Sequence, residues 1–212
     1  MKKKEYEAEV ISKIRGMIKH LYPRIEEKMR EVFIHDNEEV IKIIRRKVDF
    51  NLGFHAWFLL KYEFPSGATA IEMADSFPMD FFNEKDKKVI KNFLNYKESL
   101  FEIEKISDDN RDYTIRDLSD KRVYLIKTKD LPARFNEKDI IRAIIIKNLE
   151  EDYFFYGGVK SFSIYNKKDF IKEVLTEIKI EEKIRREREN DIIEWEVVKW
   201  AMIKNLSLQI KK

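Results

Sequence analysis

The sequence predicts an α+β protein: an N-terminal helical region packed on a small antiparallel β-barrel of five or six strands, with C-terminal helices. Two changes in hydrophobic period support this fold class. Apolar residues first recur every three or four positions, the period falls to about two at Ser99, and the helical period returns from Lys168. The chain therefore divides into a helical region (1–98), a barrel (99–166) and a C-terminal helix or helical hairpin (167–212).

The helical region is predicted to begin with three helices. Residues 4–22 carry an apolar stripe at helical spacing. Pro23 suits the first turn of a second helix that ends near His35, because the N–H that proline lacks needs no partner there. Asp36 or Asn37 can cap a third helix by accepting a hydrogen bond from a free backbone N–H.

Residues 53–64, GFHAWFLLKYEF, form the most aromatic segment of the chain, with a Trp, four other aromatic residues and a His. His55 has no second His at i+4 and belongs to no HExxH pattern. Aromatic residues at helical spacing favour core packing over a ligand or a general base. We therefore expect this segment to be the helix that joins the helical region to the barrel.

Short segments of alternating polarity follow, separated by turn residues. They occupy residues 100–106, 113–118, 122–127, 140–147, 152–156 and 159–165. Gly157-Gly158 lies between the last two segments, where a hairpin turn or a β-bulge explains it. Evenly spaced short strands favour a small antiparallel sheet that is closed or nearly closed.

The C-terminal region again shows an apolar stripe at helical spacing, which includes Val174 and Ile178. Residues 181–191 are almost entirely charged, and the apolar face returns between Ile192 and Leu206. The pattern leaves open one long helix with a solvated middle or a helical hairpin. Such a helix could join copies of the chain as a coiled coil.

The composition excludes several kinds of chemistry. The 212-residue chain has no Cys, so disulfides, thiolate metal sites and a Cys nucleophile are absent, and with three His we predict no metal and no cofactor. No apolar run approaches the ~20 residues of a membrane span. The basic start MKKKEYEAEV is not followed by an apolar segment, so we expect a cytoplasmic protein with no membrane contact. A charged fraction of 39%, rich in Lys and Glu, favours a thermophilic archaeal origin.

The barrel segments contain more aromatic residues than a small interior needs, so some rings are expected to point outward. Exposed rings beside basic side chains can stack nucleic-acid bases. The residues predicted to form such a surface are Arg122, Tyr124, Arg142, Tyr153, Tyr156 and Lys160. The alternative is that helices cover the outward rings. The net charge of +3 is too small to indicate nucleic-acid binding by itself.

An enzyme is the less favoured interpretation. It would place a pocket between the helices and the barrel, around His55 and Asp117. Asp117 ends a predicted strand, where a turn-capping role is the simpler explanation. No phosphate loop, nucleophile elbow or kinase signature is present in the sequence, and we assign no catalytic residue.

Several short stretches between residue 54 and about residue 162 match a family pattern. They are Trp57 with Tyr62, Gly67 with Thr69, Leu100-Phe101-Glu102-Ile103, Thr114-Ile115-Arg116-Asp117-Leu118 and Lys138-Asp139-Ile140-Ile141-Arg142-Ala143. In these stretches, which cover about half the chain, the protein resembles the core of an uncharacterised prokaryotic family found beside the zinc-binding SEC-C motif. Lys61 stands where that family often has an acidic residue, and no Cys-rich zinc tail is present. The resemblance thus implies no metal and no activity, but it implies that helical segment and barrel form one unit.

Three functions are consistent with the sequence. The first is a non-enzymatic binding or adaptor protein that engages nucleic acid or a protein partner through the barrel. The second is an enzyme of unknown reaction with a pocket between helices and barrel. The third is a structural subunit that forms an oligomer through its C-terminal helix.

Replacing Trp57 tests whether the aromatic segment is core. Trp57→Ala should lower the free energy of unfolding by ~3–5 kcal/mol, because truncating a buried aromatic side chain removes apolar contacts and leaves a cavity. Chemical denaturation followed by circular dichroism measures the loss. A variant with the same free energy of unfolding as the wild type would contradict the core assignment.

Overall fold

A computed structural model describes residues 4–36, 47–109, 111–127, 135–162 and 167–190. These residues contain six helices and five strands, which confirms the mixed helix-and-strand class. In chain order they are α1 (Lys4–Leu21), α2 (Ile25–Asp36), α3 (Lys47–Leu60), α4 (Ala70–Ser76), α5 (Glu84–Leu94), β1 (Lys97–Ile106), β2 (Asp112–Asp117), β3 (Val123–Lys127), β4 (Ile140–Lys147), β5 (Tyr153–Phe162) and α6 (Lys167–Asn190).

Some predicted boundaries shift in the structure. β1 begins at Lys97 rather than Ser99, and α3 continues through Gly53 without a break. The start of the predicted third helix, after Asn37, lies outside the described residues. The apolar residues predicted after 191 also lie outside them, and with them the choice between one long helix and a hairpin.

The five strands form a closed ring in the order β1-β2-β3-β5-β4, so that every strand has two neighbours. Four of the neighbouring pairs are antiparallel. The fifth pair, β3 with β5, is parallel and joins Ile126 to Tyr153. An all-antiparallel ring was predicted, but strand direction cannot alternate all the way round a closed ring with an odd number of strands. One neighbouring pair must therefore be parallel.

The last two predicted strands are one strand in the structure, and Gly157-Gly158 lies inside it as a β-bulge. Tyr156 pairs with Ile144 and Lys160 pairs with Arg142, so β5 has extra residues between two pairs that flank a single residue of β4. Gly157 has a positive φ of 81°. A Cβ atom at this position would lie 2.6 Å from the Cβ of Ala56 in α3. The glycine therefore lets α3 pack closely on β5, and the hairpin alternative is wrong.

Apolar side chains on the two faces of the ring belong to different cores. The interior is filled by buried residues that include Phe101, Ile103, Ile115, Ile126, Ile141 and Ile145. On the outside, Ile146, Phe154 and Tyr156 pack with the helical core. A third cluster joins α6 to the outside of the ring through Val174 and Ile178 against Leu100 and Ile140.

The aromatic segment supplies the centre of the helical core. Phe54, Phe58 and Leu59 are fully buried. Trp57 is half-buried and contacts the rings of Phe33 and Tyr62, with centroids 5.2 and 5.3 Å apart. Because Trp57 lies at the margin of the core, Trp57→Ala should lower the free energy of unfolding by an amount at the lower end of the predicted range.

A buried carboxylate joins the first helix to α5. Asp86 belongs to the capping box at the start of α5 and is fully buried. It accepts hydrogen bonds from the Tyr6 hydroxyl at 2.7 Å and the Lys13 ammonium at 2.8 Å. The two partners lie more than 70 residues away in the sequence, so the ion pair and the hydrogen bond hold α1 against the start of α5. Among the helices that the structure describes, none has the length and apolar character needed to cross a lipid bilayer.

Three glycine variants test the close approach of α3 to β5. Gly157→Ala should destabilise the protein by roughly 2–4 kcal/mol, because it combines left-handed backbone strain with a clash against Ala56. Gly67→Ala has the same φ of 81° but no atom within 4 Å of the new Cβ, so only the strain should remain, about 1–2 kcal/mol. Gly53→Ala, in open space within α3, should stabilise by about 0.5–1 kcal/mol.

Urea denaturation of the three variants gives the comparison. Equal losses for Gly157→Ala and Gly67→Ala would contradict a steric role for Gly157.

Candidate functional site

The six residues predicted to bind nucleic acid do not share one exposed face. Tyr124 and Tyr153 contact each other, with ring centroids 5.0 Å apart, and pack on the core inside the ring. Tyr156 faces the helices instead, with its ring centroid 4.9 Å from that of Phe93, and burial raises the pKa of its hydroxyl. Nucleic-acid binding by these tyrosines stays a prediction that their positions do not support.

The three basic residues of the predicted nucleic-acid surface also differ in burial and in their partners. Arg142 has a side chain that is 20% exposed and is paired with acidic residues of β1 and α6. Lys160 is exposed beside it, and desolvation together with the Arg142 charge lowers the pKa of Lys160. Arg122, just before β3, has a side chain that is 76% exposed.

His55 and Asp117 belong to different clusters. His55 lies in the helical region, with its Nδ1 3.9 Å from Glu26 Oε1. Burial and the Arg15 charge lower the pKa of His55, so the ring is neutral at neutral pH. Asp117 is at the end of β2. The predicted pairing of these two residues around one pocket is therefore not found.

Asp117 is the centre of a buried polar cluster where β1 and β2 meet. Its Oδ1 accepts hydrogen bonds from Ser99 Oγ at 2.8 Å and from the backbone N and Oγ of Ser119, both at 2.7 Å. Its Oδ2 lies 2.8 Å from Lys97 Nζ, which also bonds to Asp120 at 2.7 Å. The contact with the Ser119 backbone is the turn-capping role proposed for Asp117 from the sequence.

The charges in this cluster are fixed at neutral pH. Burial alone would raise the pKa of Asp117, but the bonds from Lys97, Ser119 and Ser99 outweigh burial and lower it. Desolvation acts to lower the pKa of Lys97, and its bonds to Asp117 and Asp120 outweigh that effect and raise it. Neither group is therefore poised to exchange a proton near neutrality.

A second ion cluster joins α3, β1, β4 and α6. Lys61 Nζ lies 2.6 Å from Glu98 and 2.7 Å from Glu181. Arg142 lies 2.9 Å from Glu98, 3.2 Å from Glu177 and 3.8 Å from Glu181. This cluster was not predicted, because it depends on strand register: Arg142 is opposite Leu100, diagonally beside Glu98.

A cavity of about 390 Å³ lies between the two clusters, bounded by the end of α3, the start of β1 and α6. Its polar lining includes Lys61, Lys97, Ser99 and Ser119. A pocket between helices and sheet was expected for the enzyme alternative, but His55 and Asp117 do not line this one. Three partners of Asp117 line it instead.

The outer face of β3 presents a different kind of surface. Val123 and Leu125 are 54% and 46% exposed, on the face opposite Tyr124 and Ile126. The helices that the structure describes pack on the sheet mainly at β5, β1 and β4. Val123 and Leu125 therefore form an exposed apolar strip on the ring.

Metal binding finds no support in the part of the chain that the structure describes, where no group of three or more His, Asp or Glu side chains could hold an ion. Comparison with protein-family models, curated proteins and solved structures finds no match to this chain. The resemblance to the family found beside the SEC-C motif therefore stays a prediction.

Two variants test the role of the Asp117 cluster. Asp117→Asn should lower the free energy of unfolding by roughly 3–5 kcal/mol at neutral pH, because it removes one member of a buried ion pair. Asp120→Asn, which removes the partly exposed partner of the same lysine, should cost about 1 kcal/mol or less.

The effect should also depend on pH. Because the pKa of Asp117 is lowered by folding, its contribution is complete above the ordinary carboxyl pKa of about 4 and is lost as the pH falls through the lowered value. The gap between wild type and Asp117→Asn should therefore shrink in acid. Urea denaturation at about pH 7 and about pH 3 measures both gaps. A gap of the same size at both values would rule out the charged pair as its source.

Proposed function

We propose that this protein is a non-enzymatic adaptor that binds an extended, acidic segment of a protein partner along β3. The observation that carries the proposal is the exposed apolar strip formed by Val123 and Leu125 on this strand. In this proposal the closed ring is a small barrel, whose filled interior gives β3 a rigid support. The partner would add its own strand or lie across the outer face.

The position of β3 in the ring supports this mode of binding. β3 pairs with β2 over five residues, from Val123 to Lys127, whereas between the described residues of β3 and β5 one pair is formed, Ile126 with Tyr153. Val123 and Leu125 come before this pair in β3. Backbone groups on that side of the strand can accept an extended peptide, as in β-strand addition. Exposed apolar side chains on a strand with an incompletely paired edge favour association with another chain.

The charges beside the strip favour an acidic partner. Arg122 precedes β3 and lies 3.8 Å from Asp120, which already bonds to Lys97 at 2.7 Å. The guanidinium of Arg122 is highly exposed and can therefore form a bidentate ion pair with a carboxylate of the partner. Arg116, which pairs with Val123 across the strands, is already in an ion pair with Glu104. It therefore contributes less than Arg122 to the attraction of an acidic partner.

The acid and base groups of the cavity favour binding over catalysis. A general base or acid works best with a pKa near the operating pH. The pKa values of Lys61 and Lys97 are both raised: desolvation acts against the rise, but the carboxylate partners of each lysine outweigh it. These two ammonium groups of the cavity are therefore not tuned for proton transfer near neutral pH.

Selection from a displayed library of random peptides tests the proposal. The wild-type protein should enrich peptides that alternate apolar residues and carry acidic residues at one end. Leu125→Lys should weaken binding of these peptides by about tenfold or more, since it places a charge in the apolar strip. Ile180→Lys is the matched control, because Ile180 is similarly exposed, at 55%, but lies on α6. Arg122→Gln should weaken binding most at low salt.

Thermal unfolding of Leu125→Lys and Ile180→Lys is the control for folding, and both variants should keep the stability of the wild type. Peptides that bind wild type and Leu125→Lys equally would refute the role of β3. Binding to mixed single-stranded RNA or DNA that falls steeply with salt would favour the nucleic-acid alternative instead.

A further inference from the structure

We infer that the cavity between α3, β1 and α6 is a binding site for a small monocarboxylate with an apolar body. The site uses no residue of β3 and is independent of the proposed partner-binding strand. Its volume of about 390 Å³ lies within the range of cavities that hold small organic ligands.

The walls of the cavity divide into an apolar side and a polar side. Trp57 and Leu60 at the end of α3 and Ile178 of α6 form the apolar side. Lys61 and Lys97 also line the cavity and bring two positive charges to its polar side. A ligand with one charged end and one aromatic or branched apolar end would match both sides.

A count of hydrogen-bond donors indicates the sign of the charged end. An ammonium group carries three N–H donors. Lys61 uses one for Glu98 and one for Glu181, and Lys97 uses one for Asp117 and one for Asp120. Each lysine therefore keeps one donor that no described residue accepts.

The two acidic groups at the buried wall of the cavity, Glu98 and Asp117, are already paired with cations of the protein. Glu98 is held by both Lys61 and Arg142, and its side chain is 13% exposed. The fully buried Asp117 accepts from Ser99, Ser119 and Lys97. The buried wall of the cavity thus offers spare donors, whereas the remaining acidic side chains of the lining, Glu181 and Glu182, lie on α6 at its less buried side. We therefore take the group recognised at the buried wall to be an acceptor.

The balance of charge favours a single negative charge. Lys61 has two carboxylate partners, and the one from Glu181 is the more accessible, with a side chain that is 45% exposed. A ligand carboxylate can take the place of Glu181 on Lys61 while Glu181 turns toward solvent, which leaves the charge around Lys61 unchanged. A phosphate dianion would leave an uncompensated negative charge beside Glu98.

Phenylacetate and its neutral analogue phenylacetamide are suitable probes, because they share a shape and differ in charge. Isothermal titration of the full chain should give saturable binding of phenylacetate at millimolar concentrations, about tenfold or more tighter than the amide. In nuclear magnetic resonance spectra the indole N–H of Trp57, identified with Trp57→Phe, should shift on addition of phenylacetate.

Variants of Lys61 separate ligand recognition from a structural effect. Lys61→Met should remove the preference for the acid, so that the ratio of the two dissociation constants approaches one, and Lys61→Arg should restore part of it. If Lys61→Met only loosened the packing of α6, it would weaken the binding of phenylacetate and phenylacetamide equally. The ratio of their dissociation constants would then stay unchanged. Lys160→Met, which removes an exposed lysine outside the cavity lining, should keep the wild-type ratio.

Four results would overturn the inference. They are no saturable binding of phenylacetate, equal binding of the amide by the wild type, an undiminished preference for the acid in Lys61→Met, and preference for inorganic phosphate over phenylacetate.

Discussion

The closure of a ring with five strands is the constraint on which the rest of the structure depends. Because an odd number of strands cannot alternate in direction, one neighbouring pair has to be parallel, and here it is β3 with β5. Within the described residues, the pairing at this seam joins Ile126 to Tyr153, whereas β4 and β5 pair along most of their length. The parallel seam therefore pairs fewer described residues of β3 than its antiparallel edge with β2 does.

The packing of the helices follows from the same arrangement. The bulge at Gly157 brings Ala56 of α3 against β5, and α6 covers the outside of the ring at Leu100 and Ile140. Coverage of the sheet is therefore concentrated on β5, β4 and β1, and the apolar strip on β3 stays exposed. The exposed strip and the cavity under α6 are thus two consequences of where the helices pack.

The sequence predicted those features that depend on local pattern. The change of period located the sheet, and the turn chemistry around Asp117 predicted its contact with Ser119. Strand alternation places Tyr153 and Tyr156 on opposite faces of β5, which the prediction of one shared stacking surface did not take into account. What could not be predicted depends on contacts between distant segments: the diagonal pairing of Arg142 with Glu98 needs the strand register, and the burial of Tyr156 needs the position of the helices.

The two ion clusters have a different role from the apolar cores. A partly buried ion pair adds little net stability, because the cost of desolvation offsets most of the attraction, but losing one partner is expensive. Such pairs therefore select one arrangement more than they stabilise it. Lys97 and Glu98 are consecutive residues of β1 and belong to the two different clusters. The pairing register of β1 therefore fixes the positions of both clusters together. Through Glu98, Lys61 and Arg142, that register also positions α6, which forms one wall of the cavity.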